Sequence, residues 1–243
     1  MWDDLAEWWR GELTTDPAYV DEVDPLFWKV VGDIEDLEVL DIGCGTGRVM
    51  ELVKGQASRV VGIDSSRELL ADAAHFGDVV EGELPSLSEL PTDGFDIAYA
   101  VLVLEHLPAL AELFTEVVRV VRLGGAFVVV LNHPWSTSPG SAPVVDPIDG
   151  EVLWRVGQYL STGWHDEPVA DRQLRFFHRP VSVLLSEAAS AGLSMEILHE
   201  QGPPATSIER IPLLGLQRHI PRLMGIRWRV GALHSRIDDD RPG

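Results

Sequence analysis

The stretch Val39-Leu40-Asp41-Ile42-Gly43-Cys44-Gly45-Thr46-Gly47-Arg48 constrains this chain more than any other. A short apolar run ends in an acid, three glycines follow at alternate positions, and a helical pattern begins behind them. That order reads as the strand, tight turn and helix of an α/β nucleotide-binding unit. Glycine reaches positive φ and has no Cβ to hold a ligand off the backbone, so three within five residues point to a bound adenosine-type molecule. Spacing separates the candidates. A dinucleotide fingerprint G-x-G-x-x-G needs its third glycine where Arg48 stands, and a phosphate-binding P-loop needs a Gly-Lys-Ser/Thr that is absent.

From Leu37 onward strand and helix patterns alternate, the signature of a parallel sheet with crossover helices. Strands are expected ending at Asp41, over Arg59 to Asp64, over Asp78 to Gly82, over Gly94 to Val101 and over Ala126 to Leu131. Leu110 to Arg122 reads as a helix stopped by Leu123-Gly124-Gly125. Asp64 closes the second strand 17 residues after Gly47, where a carboxylate at the strand's carboxyl edge can accept hydrogen bonds from both ribose hydroxyls. Pro180 to Ala191 reads as helix, Ser194 to Glu200 as a sixth strand, and a late strand near Gly225 to Val230 can pair with it at the sheet's edge.

The D-x-G-x-G-x-G motif of Asp41 to Gly47 resembles motif I of the class I S-adenosylmethionine-dependent methyltransferases. Phe95-Asp96, seven residues and then Leu104-Glu105-His106-Leu107 resemble the small-molecule members related to the ubiquinone and menaquinone biosynthetic enzymes. The Asn/Asp-Pro-Pro-Tyr/Phe element of nucleic-acid and glutamine methyltransferases is missing. The resemblance implies a three-layer Rossmann-like α/β fold with a mostly parallel seven-stranded sheet and an antiparallel edge. It implies S-adenosyl-L-methionine as cofactor, held by Asp41, Gly43, Cys44, Gly45, Gly47, Asp64, Ser65 and Val101, with Glu83 and Leu84 at the adenine. Some relatives hold a divalent metal through acids and a histidine in the Glu-His region. Glu105 and His106 are kept here, but Leu102 stands where a further acid would be, so no metal is expected.

The implied reaction is SN2 transfer of a methyl group to an O, N or C nucleophile of a small molecule. A hydroxyl acceptor must lose a proton, and the imidazole of His106 or of His133 can take it, since each follows a strand end; His178 is a weaker third candidate. An NAD-dependent oxidoreductase and a non-catalytic cofactor-binding protein are the alternatives. Residues 1–36, rich in Trp and acids, are expected as an N-terminal helical cap, with Tyr19 and Trp28 toward the cofactor by the same resemblance. Residues 37–235 form the catalytic domain. Within it residues 136–179 have no strand-helix rhythm, contain Trp154, Tyr159, Trp164 and Phe176-Phe177, and read as a substrate cap inserted after strand five; residues 236–243 read as a flexible tail.

The composition narrows the partners. A net charge of −20 repels nucleic-acid backbones, and the local excess of arginines over residues 207–236 reads as a solvated face. One cysteine, Cys44, excludes a disulfide framework and a thiolate metal cluster. No apolar run is long enough to span a bilayer and the start of the chain has no basic leader, so a cytoplasmic protein is expected.

Overall fold

The computed structural model describes residues 2–169 and 172–231. The expected tail, residues 236–243, lies outside them. Helix α1 (Trp2–Thr15) leads through a π-helical turn, Tyr19–Val23, into α2 (Asp24–Val31), whose first turn holds Pro25. The alternation then runs β1 (Glu38–Ile42), α3 (Arg48–Val53), β2 (Arg59–Asp64), α4 (Arg67–Ala73), β3 (Asp78–Glu81) and β4 (Phe95–Val101). A 3₁₀ turn, Leu104–His106, precedes α5 (Ala111–Val120), β5 (Val121–Asn132) and the short α6 (Pro134–Thr137). Two hairpins follow, β6 (Ala142–Val145) with β7 (Val152–Arg155) and β8 (Gly163–Val169) with β9 (Arg172–His178). The chain closes with α7 (Val181–Ser190), β10 (Leu193–Gln201), α8 (Ala205–Arg210), a 3₁₀ turn at Pro212–Gln217 and β11 (Leu223–Val230).

The seven-stranded sheet has the order β10-β11-β5-β4-β1-β2-β3. All pairs from β3 to β5 are parallel; β11 enters antiparallel between β5 and β10. The central strands are covered on both faces and therefore read as continuous apolar runs. Leu113, Phe114 and Val117 of α5 and Leu184 of α7 belong to the apolar layer on one face, and Leu26, Phe27, Val49, Met50 and Leu70 of α2, α3 and α4 to the layer on the other. Trp228 of β11 stacks on Phe127 of β5 with centroids 5.8 Å apart, which seats the antiparallel end on the same core. At the amino end of the strands Arg122 pairs with Glu38 and, at 2.6 Å, with Asp96, tying β1, β4 and β5 together away from the glycine turn.

Two expectations need correction. Helix α5 stops at Val120, and Val121 already pairs with Phe95 as strand. The Gly124-Gly125 pair is a strand irregularity: a Cβ on Gly125 would stand 2.5 Å from the Asp96 carbonyl oxygen, so only glycine lets β5 pass. The expected structureless cap is mostly the two hairpins, whose alternation was hidden by Pro143, Pro168 and the many charges of β8 and β9.

Candidate active site

The carboxyl ends of β1, β2 and β4 converge on one edge of the sheet, where open α/β sheets take their ligands. Gly43, Gly45 and Gly47 all have positive φ. Two of them are required by packing. A Cβ on Gly47 would meet the Ala73 backbone at 2.7 Å, and one on Gly43 would meet Val103 at 2.7 Å. The Asp64 carboxylate accepts from the Gly45 N–H and from the Ser66 N–H, both at 2.9 Å, and so ties the glycine turn to the start of α4. Burial raises its pKa against the pull of those two N–H groups. Ser66 caps α4 by accepting from Leu69, which leaves Ser65 free of that duty.

A cavity of about 520 Å³ opens at this edge. Its wall includes Gly43, Gly45, Asp64, Ser65, Glu83, Leu84 and Val101 on one side and Val103, His106, Leu107 and Pro108 on the other. A smaller cavity of about 40 Å³ adjoins it, lined by Asp41, Cys44, Arg48 and Tyr19 among others. Trp9 of α1 lines both, with its Nε1 3.2 Å from where a Cβ of Gly45 would stand. Asp41 is buried and its Oδ2 has no hydrogen-bond partner. Burial pushes its carboxyl up to about 8, opposed by the nearby Arg48 guanidinium. Arg48 pairs with Asp24 and lies 5.4 Å from the Tyr19 ring centroid.

Trp2, Asp3 and Trp9 of α1 line the larger cavity, and the β8–β9 hairpin packs against α1. Leu5 packs with Val169 and Leu174, and Asp3 accepts from the Ser66 hydroxyl at 2.6 Å, which docks α1 on α4. His106 is held between Trp2, 5.2 Å away edge-on, and Phe176, 4.8 Å away. Its Nδ1 lies 3.3 Å from the Arg175 carbonyl, a contact only a protonated Nδ1 can make as donor. In the neutral ring Nε2 then carries the lone pair. The buried Arg179 donates to the carbonyls of Leu104 and Leu107, on either side of that histidine. Burial lowers the Arg179 pKa, but the guanidinium keeps both carbonyl partners.

Not every expected residue reaches the cavity. His133 lines neither cavity: it is buried, its Nδ1 accepts from the Trp135 N–H at 3.0 Å, and its Nε2 donates to Glu200 at 2.7 Å. It caps α6, and burial lowers its pKa. His178 is likewise buried, donating from Nε2 to the Tyr159 carbonyl at 2.9 Å. Trp28 packs on Phe27 in the core, whereas Tyr19 does line the smaller cavity. Gly47 shapes the turn without lining the larger cavity. Asp3, Trp2, Trp9 and Arg179 were not singled out by sequence. The tryptophans of α1 stood out there only as part of a Trp- and acid-rich helical cap, and a buried arginine bound to carbonyls leaves no local pattern. Among the described residues, no group of three or more His, Cys, Asp and Glu side chains is placed to hold a metal ion, and no helix is long and apolar enough to cross a membrane.

Residues 40–129 match the methyltransferase domain family. A solved S-adenosylmethionine-dependent methyltransferase from Mesorhizobium loti superposes with a TM-score of 0.76 at 26% identity, over 84% of this chain and 96% of that one. The ubiquinone biosynthesis O-methyltransferase of Hahella chejuensis is 30% identical over 133 residues, 50% of this chain and 55% of that protein. The sterol 24-C-methyltransferase of Gibberella zeae is 28% identical over 107 residues, 40% of this chain and 28% of that protein. The chain thus spans less than two thirds of the length of either curated relative.

Proposed function

This chain carries a class I S-adenosylmethionine-dependent methyltransferase domain, and we infer that it transfers a methyl group to a hydroxyl of a small molecule, with His106 as the base. One observation carries the reading. The glycine turn, Asp64 and an imidazole with a free Nε2 face the same cavity.

The residues present fit S-adenosyl-L-methionine. Asp64 offers two carboxylate oxygens for ribose hydroxyls, and Glu83 and Leu84, the residues proposed for the adenine, line the same cavity with Val101 and Gly43. Cys44, Gly45 and Asp41 border the smaller cavity, where the unpartnered Oδ2 of Asp41 is an acceptor suited to an ammonium group. When bound, the cofactor supplies a methyl group on a sulfonium sulfur, which departs as a neutral thioether. Nε2 of His106 would take the proton that the acceptor hydroxyl gives up. Trp2, Phe176 and the Arg175 carbonyl fix the ring. His133 has both nitrogens engaged and takes no part in proton transfer.

We read the acceptor as a small metabolite and not a nucleic acid, because a net charge of −20 repels a phosphate backbone. Incubating the protein with the cofactor and a panel of hydroxylated metabolites, with S-adenosylhomocysteine release as readout, tests the reading. Release that depends on acceptor and is lost in His106→Gln supports it; release unaffected by His106→Gln contradicts the assigned base.

A further inference from the structure

The smaller cavity, about 40 Å³, has room for about three waters, and among the described residues it is lined by one group of each charge, Asp41 and Arg48. Asp41 offers the unpartnered Oδ2. Arg48 gives Nη1 to Asp24 and keeps further N–H donors. The Tyr19 ring lies under the same guanidinium, five residues before Asp24. In an α-helix five residues rotate a side chain by about 140°, onto a different face. Here the turn Tyr19–Val23 is π-helical, closed by the Asp24 N–H on the Tyr19 carbonyl, and the wider turn brings both side chains to one guanidinium. That turn is fastened to the antiparallel end of the sheet. Its Glu22 is buried, accepts from the Ser207 hydroxyl at 2.7 Å and lies 3.5 Å from Arg222 at the entry to β11, while the Gln201 side chain donates to the Glu22 carbonyl at 3.1 Å. None of these four residues lines either cavity.

Resting on the donor reading above, we propose that the smaller cavity takes the zwitterionic amino-acid end of the cofactor, with Arg48 as the cation that holds its carboxylate, and that Glu22 is a positioning residue that sets Arg48 through the π-helical turn. The ammonium goes to Asp41 and the carboxylate to the open N–H groups of the guanidinium, so each charge that leaves water meets its opposite. A long arginine side chain loses conformational freedom when it orders around a ligand. Tyr19 and Asp24 have already fixed this one, so that loss is taken before the cofactor arrives. Glu22 acts at a distance. Without its carboxylate the Ser207 hydroxyl and Arg222 lose their shared acceptor, the turn is no longer pinned to α8 and β11, and Tyr19 with Asp24 cease to fix Arg48. The loss of affinity is then confined to the charged end of the cofactor, because the adenosine end rests on Asp64 and the glycine turn.

The experiment compares S-adenosylhomocysteine with 5′-methylthioadenosine, which has the same adenosine and a thioether but no amino-acid end. Each is titrated calorimetrically into the whole protein and its variants. The wild type should prefer S-adenosylhomocysteine by about a hundredfold. Arg48→Met should lose at least about tenfold in affinity for S-adenosylhomocysteine and keep that for 5′-methylthioadenosine within about twofold. Glu22→Gln should narrow the preference by about three- to tenfold, a change that mere loss of stability does not produce, since it weakens both ligands alike. Arg48→Lys and Ser207→Ala are the milder variants, each expected to narrow the preference by about threefold, and they carry the test should the first pair fail to fold. Equal affinity of the wild type for the two ligands, or a loss shared by both in the Arg48 variants, overturns the assignment of Arg48. An unchanged preference in Glu22→Gln and Ser207→Ala overturns the role of Glu22. Binding of neither ligand by the wild type overturns the donor reading beneath both.

Discussion

Arg179 donates from Nη1 to the Leu104 carbonyl at 3.0 Å and from Nη2 to the Leu107 carbonyl, so one buried guanidinium spans the turn that carries His106. Lysine has a single ammonium in place of the planar fork and cannot reach both acceptors in that geometry. Arg179→Lys should therefore cost about 2 kcal/mol of stability. It should also lower kcat roughly tenfold, since misplacement of a reacting group is felt mainly in the chemical step. Donor affinity should stay unchanged, because Arg179 lies outside the cofactor wall. Thermal unfolding together with separate kcat and donor titrations checks all three.

Asp41 makes stability depend on pH in a defined direction. Its folded-state carboxyl titrates at about 8, above the ordinary value of 3.8. Between those values the unfolded chain has released the proton that the folded protein retains, so stability falls as pH rises from about 4 to about 8 and levels off above. Asp41→Asn removes this loss. Melting curves from pH 4.5 to 8.5 should decline more steeply for the wild type than for Asp41→Asn, by a few kcal/mol across the window.

Gly47 has φ +79° and its missing Cβ would meet the Ala73 Cα at 2.7 Å and Phe76 at 2.9 Å. Gly47→Ala combines left-handed strain with a clash against the backbone of α4. A destabilisation of about 2 kcal/mol or more is expected, measured by denaturant titration. Gly55→Ala is the control: no atom lies within 4 Å of its would-be Cβ, and its φ is not in the positive range.

The local parts of this fold were legible because each is written in adjacent residues. The glycine turn, Asp64 at a strand end and the alternation through β5 all follow from local periodicity and from backbone positions that only glycine fills. The placement of β11 between β5 and β10 was only half legible, since a strand's neighbour depends on contacts such as Trp228 on Phe127 that lie about 100 residues apart in sequence. The hairpins of residues 142–178 escaped because charges and prolines break their alternation. The choice between His106 and His133 also could not be read from sequence. Both follow strand ends, and only the tertiary partner Glu200, joined to the local Trp135 N–H, shows that one ring is engaged at both nitrogens.

The tie from Nδ1 of His106 to the Arg175 carbonyl leaves Nε2 as the nitrogen proposed to take the acceptor's proton. With the cofactor and a hydroxyl acceptor, His106→Gln should lose about 10² to 10⁴ in rate. His133→Gln should retain wild-type kcat and lose stability, because Glu200 and the Trp135 N–H then lose their partner.

Calorimetric titration of S-adenosyl-L-methionine into wild-type protein and into Asp64→Ala tests the donor site most directly. The wild type should bind with one site per chain, and loss of the carboxylate proposed to hold the ribose should weaken binding by roughly ten- to a hundredfold. No heat of binding in the wild type, or equal affinity in Asp64→Ala, would contradict the assignment of this cavity to the methyl donor.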